Sequence, residues 1–498
     1  MKVPLIATVV LVSLIAAGVF ISRAGTPGQY VYPLDDAYIG MALSKNLAQH
    51  GIWGTSGEFA SASSTPGFAV LLAACFLITG PSPYWPLALA ALGSVAAVFV
   101  TSRILADAPD PLRFGACLGI AMLAPLNVMA LLGMEHSFQI ALSLLFVAQA
   151  IPILTKGKPL SYAFLLTAAA MVSVRYEGLF VAAGACLIFL SQRRWRDCLI
   201  VIGAAWLPVI GFGAYFKWHG GGWLPNSVLL KGGFSYYRIV RNLVDTGLYL
   251  MPTVALVTWA AIRKYRALSP ASVALRITIV TVGLHLILAD FGWVYRYESY
   301  LIALSVTSVA LLASEEHLSA RYVALSKLAM VCLTIHAIIA TLTLPGRSRA
   351  IYSQQLQTAR LAQLINGPMA VNDLGAPAFF GQYPVLDLTG LGSQEVMNAH
   401  SRRGYTTEYL LYLLREHHIA AIAVYDEWFQ PTKKYPWTGP PLPAECIRIA
   451  QLHCPQGRYS GGNTVSYYAL RGEENRLRAA IKELVPSLPN GDTLSIDP

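Results

Sequence analysis

Long, uncharged apolar runs fill most of the sequence between residues 3 and 346, whereas the remainder mixes polar and apolar residues. A chain of 498 residues that is 55% hydrophobic and only 12% charged is too apolar for an ordinary soluble protein. Because roughly 20 apolar residues are needed to cross about 30 Å of hydrocarbon, the runs predict a polytopic α-helical membrane protein. A transmembrane domain is predicted at residues 1–344 and a separate C-terminal domain at residues 345–498.

About eleven transmembrane helices are predicted from these runs. The run Pro66–Thr79 is short, begins with proline and is followed by Gly80 and Pro81, which favours a helix on the membrane surface over a span. Residues 159–191 are too long for one span and are interrupted at residues 175–177, which predicts two short spans joined by a recessed turn. The other spans are predicted at residues 3–22, 85–104, 114–134, 137–155, 199–216, 245–262, 273–290, 299–314 and 323–344.

The distribution of basic residues orients this arrangement in the bilayer. The transmembrane domain carries a net charge of +9 and the C-terminal domain one of +1. With eleven spans, 14 of the 22 lysines and arginines in the transmembrane domain fall on the side of the N-terminus, which the positive-inside rule makes cytoplasmic. Counting Pro66–Thr79 as a span would reverse this bias. The chain is thus expected to contact the lipid bilayer and no nucleic-acid partner. A bacterial cytoplasmic (inner) membrane is the natural setting for a chain of this kind.

The first loop, residues 23–84, is exported in this orientation and is expected to carry two surface helices. Ile39, Leu43 and Leu47 form one helical stripe directly after Asp36, which predicts the first of them at residues 36–49. The run at residues 66–79 is the second.

The C-terminal domain is exported as well. Strand-like runs at Met369–Val371 and Ala420–Val424, with a helical run at Tyr409–His417, predict a periplasmic α/β domain. Cys446 and Cys454 are near enough in sequence for a disulfide outside the cytoplasm, and the sequence leaves both the bridged and the free state open.

Five polar clusters fall on the exported side, at the ends of predicted spans. One aspartate at a helix start acts as a cap, but two adjacent carboxylates repel each other and raise a pKa, so at least one of Asp35 and Asp36 is a candidate catalytic group. The clusters are Asp35-Asp36, Glu135-His136, Arg175-Tyr176-Glu177, Asn226 to Lys231, and Asp290 to Glu298.

The other clusters have structural as well as functional interpretations. Glu135 and its neighbour by themselves suit a solvated turn. The spans that flank Arg175 are too short to lift it fully into water, so it either pairs with Glu177 or Glu135 or lines a polar cavity. The loop that holds Lys231 keeps cations outside, which suits a phosphate as well as a solvated loop.

The stretch from Asp290 to Glu298 is rich in tyrosine and tryptophan, as expected of an interfacial belt, but a belt does not explain Arg296. The sequence contains no metal-ligand spacing such as CxxC or HExxH, no phosphate-binding glycine loop and no GxSxG elbow. Chemistry that is driven directly by nucleotides is therefore not indicated, and a divalent cation is neither required nor excluded.

Short motifs, each weak alone, follow one another along nearly the whole chain. They are Asp35-Asp36-Ala37-Tyr38, Ser64-Thr65-Pro66, Gly133-Met134-Glu135, Arg175-Tyr176-Glu177-Gly178, Leu224-Pro225-Asn226 with Lys231, Asn372-Asp373-Leu374-Gly375-Ala376, and Asp387-Leu388-Thr389-Gly390-Leu391. In this order the chain resembles the GT-C class of polyprenyl-phosphate-sugar glycosyltransferases, and most closely bacterial arabinofuranosyltransferases. It departs from the family pattern at Tyr176, where proline would be expected.

The resemblance implies an inverting glycosyltransferase that moves a sugar, such as the pentofuranose arabinofuranose, from a polyprenyl-phosphate donor to a glycan, lipid or protein acceptor of the cell envelope. It implies that Asp35 or Asp36 removes the proton of the acceptor hydroxyl. A polyprenyl phosphate is already a competent leaving group, so it needs a cation rather than a general acid. Lys231 and Arg296 are the candidates for this contact.

The remaining polar residues are expected to bind substrate. A transporter or flippase of lipid-linked sugars is the alternative, but transporters hold such groups near mid-bilayer, whereas these charges gather at span ends. The expected substrate-binding residues, besides Lys231 and Arg296, are Glu135, His136, Arg175, Tyr176, Glu177, Asn226, Asp290 and Glu298.

Overall fold

The structure is a computed structural model that describes residues 2–231, 236–246, 249–264, 267–430 and 439–498. Its N-terminal part consists of helices. These are α1 (Lys2–Gly25), α2 (Asp36–His50), α3 (Pro66–Thr79), α4 (Trp85–Ile104), α5 (Asp110–Leu123), α6 (Leu126–Leu132), α7 (His136–Thr155), α8 (Tyr162–Val174), α9 (Gly178–Ser191), α10 (Trp195–Trp218), α11 (Asn226–Lys231), α12 (Tyr236–Thr246), α13 (Met251–Arg263), α14 (Pro270–Leu288), α15 (Ser299–Glu315) and α16 (Ala320–Ser353).

Within the described ranges, six helices are long and apolar enough to cross a membrane, namely α1, α4, α7, α10, α14 and α16. Helices α5 and α6 would together form a seventh span with a bend of 42°. The chain is therefore a multi-pass membrane protein. The other predicted spans coincide with the shorter apolar helices α8, α9, α13 and α15, and the total of eleven stays a prediction.

The two irregular regions of the predicted topology have the expected local structure. Residues 159–191 form α8 and α9 with a break at residues 175–177, as predicted. Helix α3 begins at Pro66, whose fixed φ suits the first helical position, and ends at Gly80, whose φ of +81° glycine adopts readily. It packs against α2 and α8.

The C-terminal part is an α/β domain built on a six-stranded sheet, as its sequence predicts. Strands β1, β2 and β3 are parallel, whereas β3, β5, β4 and β6 pair antiparallel, in the order β2-β1-β3-β5-β4-β6. The elements are α17 (Gln355–Leu364), β1 (Met369–Val371), α18 (Gly375–Phe380), β2 (Val385–Asp387), α19 (Gln394–Ser401), α20 (Thr407–Glu416), β3 (Ala421–Val424), β4 (Cys446–His453), β5 (Thr464–Leu470), α21 (Glu474–Leu484) and β6 (Thr493–Ile496).

Side chains that alternate along β3 fill the two faces of this sheet. Ala421 and Ala423 face α17 and α21, whereas Ile422 and Val424 face α19 and α20. Helices therefore cover the sheet on both sides. The domain's chain begins within α16, which runs across the predicted boundary at residue 344 with Pro345 inside it.

A disulfide between Cys446 and Cys454 is not formed, and both thiols are free. Cys446 begins β4 and Cys454 directly follows its last residue, so a strand that rises about 3.4 Å per residue holds them far beyond disulfide reach. Cys454 is buried and donates its S–H to the carbonyl oxygen of Ser353, at 3.3 Å.

Helix α2 lies between the two parts of the molecule. It packs against α3 on one side and against α18 on the other. Leu43 of the predicted stripe is fully buried, whereas Ile39 and Leu47 are partly buried. The first loop is thus covered by the C-terminal domain.

Candidate functional site

A cavity of about 380 Å³ lies where the first loop, the ends of several membrane helices and the C-terminal domain meet. One wall is apolar and comes from α3, α10 and α14, with Phe68, Leu72, Trp206, Val209 and Leu288. Another part of the lining is strongly polar. Seven of the residues predicted for the site line it, namely Asp36, Glu135, Arg175, Tyr176, Glu177, Asp290 and Arg296.

Asp36 and Arg296 form an ion pair in this cavity, with 3.3 Å between Asp36 Oδ2 and Arg296 Nη1. The Arg296 side chain is 3% exposed, whereas that of Asp36 is 33% exposed. Arg296 Nη2 also donates to the hydroxyl of Tyr297, at 2.9 Å. A carboxylate that a ligand can reach therefore stands beside a cation that is held in place.

Asp35 has a different environment, although it is the neighbour of Asp36. Its carboxylate is buried, does not line the cavity and accepts backbone N–H bonds from Gly375 and Ala376, at 2.6 and 3.0 Å. Burial raises the pKa of Asp35 well above its ordinary value, and the nearby Asp373 raises it further, whereas the two N–H bonds oppose this shift. Asp35 joins the first loop to the start of α18.

Arg175 is the centre of a buried ionic cluster. Its Nη1 lies 2.9 Å from Glu135 Oε1, and its guanidinium also pairs with Glu177. The same Glu135 oxygen lies 3.4 Å from Nε2 of His136, which is buried behind the cavity. The ring of Tyr297 stands 5.3 Å from Arg175 Cζ. Arg175 therefore pairs with both glutamates and also lines a polar cavity.

Glu298 is fully buried and does not line the cavity. It accepts hydrogen bonds from the hydroxyl of Tyr249, at 2.8 Å, and from the N–H of Gly292, at 3.0 Å. Asp290 lines the cavity and pairs with Arg241, at 2.6 Å.

Asn226 also lies outside the cavity lining. It is fully buried and connects three segments, since it accepts from the Ser61 hydroxyl, at 2.9 Å, and donates to the carbonyl oxygens of Gly390 and Leu391, at 3.2 and 3.3 Å. Lys231 is the last residue of α11, and its side chain lies outside the described residues.

Some residues of the site were not singled out from the sequence. Tyr297 lies in the stretch that the sequence predicts to be an aromatic belt, yet it contacts both Arg175 and Arg296. The hydroxyls of residues 63–65 and the side chain of Leu391 also line the cavity. Ser64, Thr65 and Leu391 belong to motifs on which the family resemblance rests, but only the fold reveals that they meet.

No group of three or more histidine, cysteine, aspartate or glutamate residues that could hold a metal ion occurs within the described ranges. Most charged residues of the cavity form ion pairs with one another, between a carboxylate and a guanidinium group.

The family described as "Domain of unknown function (DUF8728)" matches residues 349–468, the larger part of the C-terminal domain. No curated protein matches the sequence.

Solved structures resemble the whole chain. ArnT from Cupriavidus metallidurans bound to undecaprenyl phosphate superposes with a TM-score of 0.55 at 12% identity, over 94% of this chain and 98% of that one. Its apo state gives 0.56 at 11% identity, over 93% and 98%. The oligosaccharyltransferase from Archaeoglobus fulgidus gives 0.45 at 12% identity, over 97% and 76%. The chain has the fold of the GT-C class of glycosyltransferases, as its motifs predicted.

Proposed function

We propose that the protein is an inverting glycosyltransferase that moves a sugar from a polyprenyl-phosphate donor to an acceptor hydroxyl at the outer surface of a bacterial cytoplasmic membrane. The observation that carries this proposal is the position of Asp36 beside Arg296, in a cavity that the apolar membrane helices α10 and α14 also line. A base and a cation in a cavity with an apolar lining suit a lipid phosphate.

The proposed reaction needs only these groups. The acceptor oxygen attacks the anomeric carbon from the face opposite the phosphate, and its proton passes to the carboxylate of Asp36. The bond between the anomeric carbon and the phosphate oxygen breaks, and its electron pair stays on the phosphate, where Arg296 stabilises the charge. Attack from the opposite face inverts the anomeric centre.

Asp36 is the better candidate for the base because its carboxylate reaches the cavity, whereas that of Asp35 is occupied by Gly375 and Ala376. The cluster of Arg175, Glu135 and Glu177 would bind sugar hydroxyls or orient the reacting groups. The transferred sugar is proposed to be a pentofuranose, on the resemblance in sequence alone. The bound lipid of ArnT, undecaprenyl phosphate, is consistent with a polyprenyl-phosphate donor.

The experiment is a transfer assay with the purified full-length protein and polyprenyl-phosphate pentofuranose. Asp36→Asn should lower kcat by about 10²- to 10⁴-fold, the usual contribution of a general base, and leave the KM for the donor within a few-fold. Asp107→Asn, which alters an exposed carboxylate away from the cavity, is the matched control. Transfer by Asp36→Asn at the parental rate would exclude Asp36 as the base.

A further inference from the structure

Tyr297 lines the cavity and contacts both of its ionic groups. One group is the pair of Asp36 and Arg296, and the other is the cluster around Arg175 and Glu135. The centroid of the Tyr297 ring lies 4.8 Å from Cζ of Arg296 and 5.3 Å from Cζ of Arg175. Because the face of a tyrosine ring attracts cations, the ring stabilises two guanidinium groups that would otherwise repel each other.

The hydroxyl of Tyr297 is the closer of two oxygen atoms that contact Arg296. It accepts a hydrogen bond from Arg296 Nη2 at 2.9 Å, whereas Arg296 Nη1 lies 3.3 Å from Oδ2 of Asp36. Arg296 Nε is buried and has no hydrogen-bond partner among the described residues. The position of this buried guanidinium therefore depends strongly on the hydroxyl and on Asp36.

These two partners of Arg296 differ in charge. A carboxylate neutralises a guanidinium, whereas a phenol hydroxyl holds it and leaves its charge available to a ligand. In the proposed reaction Asp36 takes up the acceptor proton and loses its charge while negative charge develops on the donor phosphate. The hydrogen bond between Arg296 and Tyr297 involves no group that gains or loses a proton in this step, so it can persist throughout.

We propose that Tyr297 is a positioning residue that acts through Arg296: its hydroxyl keeps the guanidinium beside the leaving phosphate when Asp36 is protonated. This inference rests on the proposed transferase function and deepens it. The ring and the hydroxyl have separate effects. The ring contacts both guanidinium groups before the reaction and thus supports donor binding, whereas the hydroxyl supports the chemical step.

The test uses the purified full-length protein in nanodiscs, with polyprenyl-phosphate pentofuranose as donor and a pentofuranose oligosaccharide as acceptor. Tyr297→Phe keeps the ring and removes the hydroxyl. It should lower kcat by about 10-fold, the effect of one hydrogen bond to a charged group, and leave the donor KM within about twofold. Tyr297→Leu also removes the ring and should in addition raise the donor KM by about 10-fold.

Binding of polyprenyl phosphate, the lipid product, tests the same contact without turnover. Its phosphate carries the charge that the leaving group develops, so Tyr297→Phe should raise the Kd by about 10-fold. The number of binding sites should stay the same, whereas a misfolded fraction would lower that number.

Tyr383→Phe is the matched control for these measurements. It removes a hydroxyl that donates to Asn366 Oδ1, at 2.7 Å, and Tyr383 does not line the cavity. The kcat, the donor KM and the Kd for polyprenyl phosphate should all equal those of the wild type.

A double variant distinguishes positioning from direct contact with the donor. In an Arg296→Lys background, Tyr297→Phe should change kcat by less than about twofold, because the hydroxyl acts through the guanidinium. An undiminished effect in that background, or a kcat and Kd of Tyr297→Phe equal to those of the wild type, would overturn this inference and leave the transferase intact. Donor turnover that is equal in wild type and Asp36→Asn would instead overturn the proposed function.

Discussion

Adjacent aspartates in the first loop have separate partners because one precedes α2 and the other begins it. Asp36 faces the cavity and Arg296, whereas Asp35 faces the backbone of Gly375 and Ala376. Two neighbouring carboxylates are hard to explain as caps of one helix. The fold resolves this by placing Asp36 in the cavity and Asp35 against the C-terminal domain.

Gly375 is the residue on which the contact of Asp35 depends. A Cβ at this position would lie 2.5 Å from both the carbonyl oxygen and Oδ2 of Asp35, and backbone cannot give way as a flexible side chain can. Gly375→Ala should break the two N–H bonds and leave the carboxylate poorly paired. The free energy of unfolding should fall by about 1–3 kcal/mol, and thermal unfolding in detergent measures this change.

Gly404→Ala is the control for that prediction, because the nearest atom to its added Cβ, the Ala399 carbonyl oxygen, lies 4.0 Å away. It should unfold at nearly the parental temperature. Equal unfolding temperatures for the Gly375→Ala and Gly404→Ala proteins would show that the contact between Asp35 and α18 adds nothing to stability.

At the scale of elements, the turn before Arg296 has the most unusual backbone conformation. Gly292, Trp293, Val294 and Tyr295 all have positive φ, at 89°, 49°, 66° and 61°. The left-handed conformation costs roughly 1–2 kcal/mol for each residue other than glycine, so the surroundings must stabilise it. Glu298 does so by accepting the N–H of Gly292 and the hydroxyl of Tyr249.

We expect Glu298 to act on transfer through Arg296, as a positioning residue. Glu298→Gln should weaken the hold on Gly292 and raise the donor KM by about 10-fold, because the guanidinium next to Asp36 shifts. In an Arg296→Lys background the same change should have little further effect. Donor KM values of the two single variants and the double variant measure this coupling.

Glu315→Gln is the matched control, since Glu315 lies at the opposite end of α15 and accepts the N–H of Ala271, at 2.7 Å. Its donor KM should equal that of the wild type. If the effects of Glu298→Gln and Arg296→Lys on the donor KM were fully additive, Glu298 would not act through the Arg296 guanidinium.

Elements that depend on local sequence were predictable, and contacts between distant segments were not. Pro66 and Gly80 define the ends of α3, and the polar residues 175–177 interrupt an apolar run, so both features can be predicted from the sequence. Short strands such as β1 and β3 show as brief apolar runs. The left-handed turn at Val294 carries no such signal, because β-branched residues disfavour positive φ.

The sequence predicts which residues belong to the candidate site better than it predicts which of them contact each other. The polar residues at the ends of the predicted spans are expected on one side of the membrane, and seven of them line one cavity. The pairing of Asp36 with Arg296 joins residues 260 positions apart, and that of Asp35 with Gly375 joins residues 340 positions apart. Such pairs form because distant segments pack against each other, and the spacing of residues along the sequence does not reveal them.

At the scale of the whole molecule, the C-terminal domain is attached to the first loop through several hydrogen bonds. Lys45 Nζ donates to the carbonyl oxygen of Phe379, at 2.8 Å, and the N–H of Val385 donates to the Ser56 hydroxyl, at 2.8 Å. Together with Asp35 and Asn226 they make the domain a part of the cavity. Changes in this attachment should therefore alter both stability and transfer.

The carboxyl pair of Asp35 and Asp373 lies in this attachment and makes it sensitive to pH. Burial raises the pKa of both groups, and the charge of Asp373 raises the pKa of Asp35 further. Hydrogen bonds from Gln355, Asp35 and Tyr425 lower the pKa of Asp373, whereas the charge of Asp36 raises it. Because these carboxyl groups have a higher pKa in the folded protein than in the unfolded one, the docked state, in which the C-terminal domain contacts the first loop, binds more protons. Its contribution to stability is full below the ordinary carboxyl pKa and is lost as pH rises through the raised pKa.

Asp373→Asn should remove much of this dependence. The unfolding temperature of the wild type should fall as pH rises through the raised pKa of the pair, whereas Asp373→Asn should change less and be the more stable protein on the alkaline side, because one of the two repelling charges is gone. Asp497→Asn, a surface carboxylate 2.7 Å from Arg448, is the control and should follow the wild type. Parallel curves for wild type and Asp373→Asn would mean that the pair is not protonated in the docked state and that repulsion between its carboxylates does not govern the attachment.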